Sequence, residues 1–400
     1  MSVGQPGASE KTKIVWVSAG DVSGDTIAAD FVRAFGELRP EVRFVGLGGP
    51  EMASADVERV ADQRALAVGG LIEWLPSAGR IAQTLRRVIR GLRRHRPDLY
   101  VVVDSGGFHL PFMRLARALA PAPILYYVAP QVWVWRAGRV GRIAARADRI
   151  AVVWPFEPPF WAERGVVTDY VGHPILDREV AHLPAPSARA DARRLLDVAP
   201  DATLVGLFPG SRRNEIAQHL PAHLGALARL RADRPELEGV VVRAPSIGER
   251  RMESIAKAAG FAAPRIVPAS PDWLDAIDVG LTKPGTITLE LLLREKPMVV
   301  TGRAHPLSVA LVGRSFVGKQ VALPNLIAGE TIVPELLQDD VTADRIADAL
   351  APLLPRDGGP SESARNQIGE LRRARSRLGE PGASRRVAAL AEELLGTDRT

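Results

Sequence analysis

The sequence predicts an α/β fold of two doubly wound, Rossmann-like domains, and three observations carry that expectation. Short apolar runs stop abruptly at glycine-containing loops and give way to segments of helical period. The same alternation recurs in both halves of the chain, as βαβ units require. A Pro-rich stretch of little periodicity, His182 to Ser187, separates the halves as a linker would. With 400 residues, 46% hydrophobic and 24% charged, the chain can fill two cores. The expected boundaries are a disordered tail over 1–12, a first domain over 13–180, a second over 181–345 and closing helices over 346–400, broken near Asp357 to Pro360.

Ile14 to Val17 reads as a buried strand, and Ser18 to Asp25 breaks it before a helix over Thr26 to Leu38. Gly20 and Gly24 serve a tight backbone there and Asp25 a helix cap, or else Asp21 and Ser23 add hydroxyl-binding groups for a sugar. The GxGxxG spacing of a dinucleotide site is absent. Val42 to Pro50 repeats the strand-then-glycine pattern. Gly69 to Pro76 is an apolar patch, and Ile81, Leu85, Val88, Ile89 and Leu92 then follow helical spacing. Seven arginines and no acid lie between Arg80 and Arg96. Either this is a core-facing stripe with a solvated basic face, or Leu71, Ile72, Trp74, Leu75, Arg80, Arg86, Arg87 and Arg90 rest on anionic lipid. Leu99 to Val103 is the clearest strand of this half. Asp104 at its end either caps the next helix or acts as a general base. After the strand Ile124 to Val128 comes a loop with Gln131, Trp133, Trp135 and Arg136, whose tryptophans either stack on a sugar or close against the other domain.

In the second half a helix over Ala188 to Leu196 leads to the strand Leu204 to Phe208, stopped by Pro209-Gly210-Ser211. Arg212 to Glu215 then reads as the first turn of a helix. Such a loop brings backbone N–H groups and guanidinium to one point, which suits a diphosphate. Ile277 to Leu281 is a matching strand, broken at Lys283-Pro284-Gly285-Thr286 and followed by a helix over Ile287 to Leu293 that carries Glu290. In an open α/β sheet, ligands lie beyond the carboxyl ends of strands. Together the two loops offer positive charge, amides, a hydroxyl and a carboxylate to one nucleotide. Val240 to Val242, Arg265 to Pro268 and Met298 to Thr301 read as further strands, and Asn325 as a turn former.

The chain has no cysteine, which excludes disulfides, thiolate metal sites and a cysteine nucleophile and suits a reducing cytoplasm. The seven histidines are read as lacking HxxxH or similar spacing, so no metal site is expected. The net charge of +6 comes with only six lysines, at 11, 13, 257, 283, 296 and 319; the arginine excess follows the Ala-, Gly- and Pro-rich composition, and no basic-aromatic nucleic-acid module is present. Met1 to Lys13 has no apolar core, so no signal peptide is expected. No apolar run approaches about 18 residues, so none is expected to span a membrane.

Ser18 to Asp25, Val103 to Phe108, Tyr127 to Arg136, Pro155-Phe156-Glu157 and Val171 to Pro174 resemble, in that order, the lipid-A-disaccharide synthase family. Pro209 to Arg212, Gly285-Thr286 with Glu290, and Leu323 to Gly329 continue the likeness, which covers about residues 13 to 350. The resemblance implies the GT-B architecture, two Rossmann-like domains facing across a cleft. It implies an acceptor-binding, membrane-facing first domain, a UDP-sugar-binding second domain and a closing segment that crosses back to the first. The implied reaction joins UDP-2,3-diacylglucosamine to 2,3-diacylglucosamine 1-phosphate, gives a β-1,6-linked disaccharide 1-phosphate and releases UDP. No metal or cofactor is implied, in keeping with the lack of a DxD-type cluster.

By the same resemblance, Asp104 is the base for the acceptor hydroxyl, and Arg212 stabilises the leaving UDP with the amides of Gly210 and Ser211. Glu215, Gly285, Thr286, Glu290 and Asn325 hold the donor. Gly20, Asp21, Ser23, Gly24, Asp25, Gln131, Trp133, Trp135 and Arg136 line the acceptor side. A monomer or homodimer, peripheral on the cytoplasmic face of the inner membrane, is the implied state. Four positions depart from the family pattern: Asp21 where Glu is more common, Gly107 where a second Asp is common, and Lys283-Pro284 where Ser-Gly is usual. Lys283-Pro284-Gly285 is similar to undecaprenol-linked sugar transferases of the same architecture. The competing readings are a GT-B enzyme for another lipid-linked sugar, a UDP-sugar 2-epimerase, or a non-catalytic membrane-surface protein.

Overall fold

The structure, a computed structural model, describes residues 12–63, 71–133, 137–178, 187–261, 264–303 and 320–396, without the side chains of 71–78, 80 and 137. The chain forms two compact units, one of residues 1–177 with 381–400 and one of residues 178–380.

The first unit opens with β1 (Ile14–Ala19) and α1 (Val22–Leu38), then β2 (Arg43–Gly48), α2 (Pro50–Ser54), β3 (Glu58–Asp62) and α3 (Leu71–His95). It continues through β4 (Leu99–Val103), α4 (Gly106–Leu119), β5 (Ile124–Tyr127), α5 (Val140–Ala144), β6 (Arg149–Val152), α6 (Glu157–Ala162) and β7 (Asp169–Tyr170). The seven strands are all parallel, in the order β3-β2-β1-β4-β5-β6-β7. A parallel sheet covered on both faces needs strands that are apolar throughout, and all five residues of β4 are buried. Trp16, Tyr100, Phe112, Tyr126 and Trp161 fill the core around it.

The second unit runs through α7 (Ala188–Leu195), β8 (Thr203–Phe208), α8 (Arg213–Asp233), β9 (Leu237–Arg243), α9 (Glu249–Ala258), β10 (Arg265–Pro268) and α10 (Asp272–Ala276). Then follow β11 (Val279–Thr282), α11 (Thr286–Leu293), β12 (Met298–Gly302), α12 (Leu323–Ala328), β13 (Glu335–Leu337), α13 (Ala343–Leu350) and α14 (Glu362–Ser376). Its sheet, again parallel, has the order β10-β9-β8-β11-β12-β13. The C-terminal helix, Ala383–Gly396, belongs to the first unit and packs on α1, β4 and β5. Asp177, where the chain leaves that unit, accepts hydrogen bonds from the amides of Gly382, Ala383 (3.3 Å) and Ser384 (3.0 Å), where it returns.

An aspartate at the start of three strand-forming segments fixes their register. Asp98 accepts from the Ile14 N–H at 2.8 Å, Asp148 from Ile124 at 2.7 Å and Asp278 from Leu204 at 2.8 Å. Each satisfies an amide at the start of the neighbouring strand, its first residue for Ile14 and Ile124 and its second for Leu204.

The structure corrects two expectations here. α3 begins at Leu71 and takes Pro76 into its second turn, so Leu71 to Leu75 are helical rather than a separate patch; the side chains of Leu71, Ile72, Trp74, Leu75 and Arg80 lie outside the described residues. Along the rest of α3, Val88 and Leu92 are buried, whereas Leu85, expected on the same stripe, is exposed. Arg86, Arg87 and Arg90 are exposed. Most of the linker, 182–186, and the loop residues Trp135 and Arg136 also lie outside the described residues.

Candidate functional site

In each unit the strand order reverses beside the first strand of its sheet, and the two loops at that point are the chemically loaded ones. In the first unit Ala19 pairs with Val103, so the Gly20 loop and the Asp104 loop leave the sheet side by side. Asp21 is the N-cap of α1, its carboxylate accepting from the Gly24 amide at 2.7 Å and the Ser23 hydroxyl at 3.0 Å. Ser105 Oγ donates to Asp21 at 3.3 Å, and a side chain at Gly20 would collide with that serine at 2.3 Å.

Asp104 does not cap α4. Ser105 takes the N-cap position, without a side-chain capping bond, and both residues adopt left-handed backbone, with φ of 50° and 46°. Such conformations strain a non-glycine residue and persist only where surrounding contacts impose them. Here the Asp104 carbonyl accepts from two buried groups, His109 Nδ1 at 2.6 Å and the Tyr126 hydroxyl at 2.9 Å. Since a carbonyl only accepts, His109 carries its proton on Nδ1, and Nε2 faces Ser18 Oγ at 3.0 Å. Burial lowers the His109 pKa to about 4, so the imidazole stays neutral. Burial, with the nearby Asp21 charge, pushes the Asp104 carboxyl up to about 7.

Two acceptor-side expectations are corrected. Asp25 is not the cap of its own helix: fully buried, it accepts from the amides of Gly49 (2.7 Å), Glu51 (3.0 Å) and Met52 (3.2 Å) and so caps α2. Trp133 does not present a free face. It is buried against Phe156, ring centroids 4.8 Å apart, and its indole N–H donates to Glu157 at 3.2 Å. Glu157, buried and raised to about 7 by desolvation, also accepts from the Val153 and Trp154 amides. Gln131 is exposed.

In the second unit Thr282 pairs with Phe208, which sets the Lys283 loop beside the Gly210 loop. Gly210 has φ of 129° and Gly285 of 152°, where only glycine is at ease. Glu215, in the first turn of α8, turns its carboxylate back to accept from the amides of Ser211 (2.9 Å) and Arg212 (3.2 Å). The Ser211 amide, expected to face the donor, therefore already has an acceptor. Among the described residues none accepts from the amides of Gly210, Arg213 and Asn214. Arg212 is largely exposed, its guanidinium 3.8 Å from Glu215. Burial favours a neutral Glu215, but Lys283 and the Ser211 amide outweigh it and hold the carboxyl below its ordinary pKa.

Thr286 begins α11 in an exposed position, and burial raises the pKa of Glu290 one turn further on. Asn325 is corrected from donor ligand to strut. Fully buried, it donates to Val333 O and Glu335 and accepts from the amides of Ile332 and Val333, so both ends of its amide are committed. The histidine expectation is corrected too: His219 and His223 stand four apart on α8, the HxxxH spacing that metal sites use. His219 commits both ring nitrogens and His223 its Nε2 to other bonds, while His223 Nδ1 is buried with no partner among the described residues. His219 donates to Glu215 O and accepts from the Arg303 amide; His223 donates to Thr301, which donates to Thr282 O. Among the described residues no three His, Asp or Glu side chains gather as metal ligands, and no helix is long and apolar enough to cross a membrane.

A family model described as lipid-A-disaccharide synthetase matches residues 15–384. The chain belongs to the lipid-A-disaccharide synthetase family. Lipid-A-disaccharide synthases of Geobacter metallireducens and Myxococcus xanthus are each 37% identical to it over 387 residues, covering 97% and 96% of this chain and 98% of each relative. Solved structures share the fold at lower identity. A calicheamicin glycosyltransferase aligns with a TM-score of 0.56 at 15% identity over 98% of this chain and 100% of its own. The S. aureus MnaA–UDP co-structure aligns with 0.64 at 15% over 97% and 98%. The fold is that of GT-B glycosyltransferases, two parallel-sheet α/β units.

Within this lipid-A-disaccharide synthetase, sequence reasoning passed over His109 and Tyr126, which hydrogen-bond the Asp104 carbonyl, and met Glu157 only within the Pro155-Phe156-Glu157 likeness, without its bond to Trp133. Their signal in the sequence is slight: a histidine in an apolar helix and a tyrosine in an apolar strand. Lys283 was visible only as a departure from the family pattern.

Proposed function

We propose that the chain is the inverting glycosyltransferase that joins UDP-2,3-diacylglucosamine to 2,3-diacylglucosamine 1-phosphate. Asp104 takes the proton of the acceptor 6-hydroxyl while that oxygen bonds to the donor anomeric carbon. The bond from that carbon to UDP breaks, the configuration inverts and UDP carries off the electron pair. Arg212 and the open amides at the start of α8 meet the charge that develops on the diphosphate. Glu290, with Thr286, accepts from the ribose hydroxyls, and Asn325 acts by tying the segment that carries it. Gly20, Asp21, Ser23 and Gly24 serve the acceptor.

The observation that carries this reading is Asp104. Its left-handed backbone is pinned at the switch point of a parallel sheet, and its carboxyl titrates near 7. A general base works best with a pKa near the working pH. A 2-epimerase reading rests on fold likeness alone, at 10–15% identity to solved 2-epimerases, whereas the family match spans most of the chain.

Purified protein given the UDP-sugar donor should release UDP only when the acceptor is present, and mass analysis should show the disaccharide 1-phosphate. Asp104→Ala should keep UDP affinity while losing turnover by roughly 10²- to 10⁴-fold; Arg212→Ala should lose both. A fully active Asp104→Ala removes the base assignment, and UDP binding without any disaccharide makes the acceptor wrong. The enzyme is further proposed to act as a monomer or homodimer on the cytoplasmic surface of the inner membrane. Exposed Arg86, Arg87 and Arg90 on α3 support the membrane contact, which vesicle sedimentation reads out.

A further inference from the structure

Lys283 follows the last residue of β11, and its backbone N–H donates to Phe208 O at 3.3 Å, which ties the two donor-side loops at their roots. Its side chain ties them again at their tips. The ammonium lies 3.1 Å from Glu215 Oε1, while Oε2 of the same carboxylate accepts from the Ser211 and Arg212 amides. The Arg212 guanidinium stands 3.8 Å from Oε1. One carboxylate thus gathers an ammonium, a guanidinium and two backbone amides, the set of donors that also surrounds a bound phosphate.

The loop glycines make this arrangement possible. A Cβ at Gly210 would stand 2.6 Å from Glu215 Cβ and 2.7 Å from its Oε2, so any side chain there drives Glu215 away. At Gly285 the lysine stem lies over the turn, with Cε and Nζ within 3.6 Å of where a Cβ would be. Lys283 and Glu215 are about one-fifth exposed (23% and 19%), Arg212 mostly so (77%). Two cations facing one carboxylate leave a net positive charge, withdrawn from water enough to count and open on one side.

We propose that Lys283 is a further donor-binding residue, whose ammonium, aimed by Glu215, contacts the diphosphate of the nucleotide. The inference rests on the donor-site reading above and adds a second cation to Arg212. A purely structural ion pair would explain the loop contact equally well, so the test separates charge toward the diphosphate from loop integrity.

Calorimetric titration of the full chain with UDP and with UMP makes the separation. Lys283→Met should weaken UDP binding roughly 10- to 100-fold, the scale of one lost charge-assisted contact, and UMP binding by less than about 3-fold. Lys283→Gln, which can still donate to Glu215 without carrying charge, should lose UDP affinity in the same way. Lys283→Arg should keep most of it. If either neutral variant binds UDP like the wild type, or loses UMP by the same factor as UDP, the proposal is overturned while the donor site stands. If the wild type itself binds no UDP, the donor reading and this inference fall together.

Discussion

Asp104 shows how a single residue is prepared for chemistry by its neighbours. Two consecutive left-handed non-glycine residues cost about 1–2 kcal/mol each, and the hydrogen bonds from His109 and Tyr126 to the Asp104 carbonyl hold them there. The same burial raises the carboxyl from 3.8 to about 7. A base must be ionised, so kcat/KM should rise with pH up to about 7 and then level off. The stability consequence has the opposite sign. A carboxyl whose folded pKa lies above its unfolded value adds stability at low pH, and this is lost as pH rises through the folded pKa. Asp104→Asn should therefore gain stability relative to wild type between about pH 4 and 7, by on the order of a few kcal/mol. Urea unfolding at pH 5 and pH 8 measures it; a difference that ignores pH would mean the carboxyl is not perturbed.

At the scale of elements, buried polar side chains join helices and loops that the sequence does not show to be neighbours. Asp25 sits one turn into α1 yet serves the first turn of α2, where three amides lack intrahelical acceptors. Asp25→Ala should cost about 3 kcal/mol by stranding these donors, a fall in melting temperature of roughly 6–12 °C for a unit of this size. A thermal melt checks it, and an unchanged Tm would mean that water replaces the carboxylate. The sequence reading gave the cap of α1 to Asp25 and a sugar hydroxyl to Asp21, whereas Asp21 is the N-cap. Nothing local says which one caps α1, because either can reach a first turn. Trp133 and Asn325 taught the same lesson: a motif residue can be a fixture of the loop rather than its working surface.

Across the whole molecule, two sheets of the same strand order each place a pair of loops at a switch point. The Gly20 and Asp104 loops share one unit, and the Gly210 and Lys283 loops the other. The C-terminal helix returns to the first unit and buries Val387, Ala388, Ala391 and Leu395. The net charge of +6 is reinforced locally by exposed Arg86, Arg87, Arg90, Arg93 and Arg94 on α3. The protein should sediment with vesicles containing anionic lipid and release as salt rises. Replacing Arg86, Arg87 and Arg90 by Gln should weaken binding by roughly 1 kcal/mol each. Sedimentation indifferent to anionic lipid and to salt would remove the membrane contact.

By itself the sequence determined the α/β class, the positions of the principal strands and the loops that carry Asp104, Arg212 and Thr286. Those signals are local: an apolar run, a glycine and a helix start lie within a dozen residues and reflect backbone preference and burial on both sheet faces. Only the tertiary structure decided what the polar side chains on those loops do. Whether Asp25, Glu215 or Asn325 meets a ligand or a backbone amide depends on which donors the fold brings within about 3 Å. Lys283 and Glu215 lie 68 residues apart in the chain. They meet because β8 and β11 are neighbours in the sheet, and no local pattern in the sequence records that pairing.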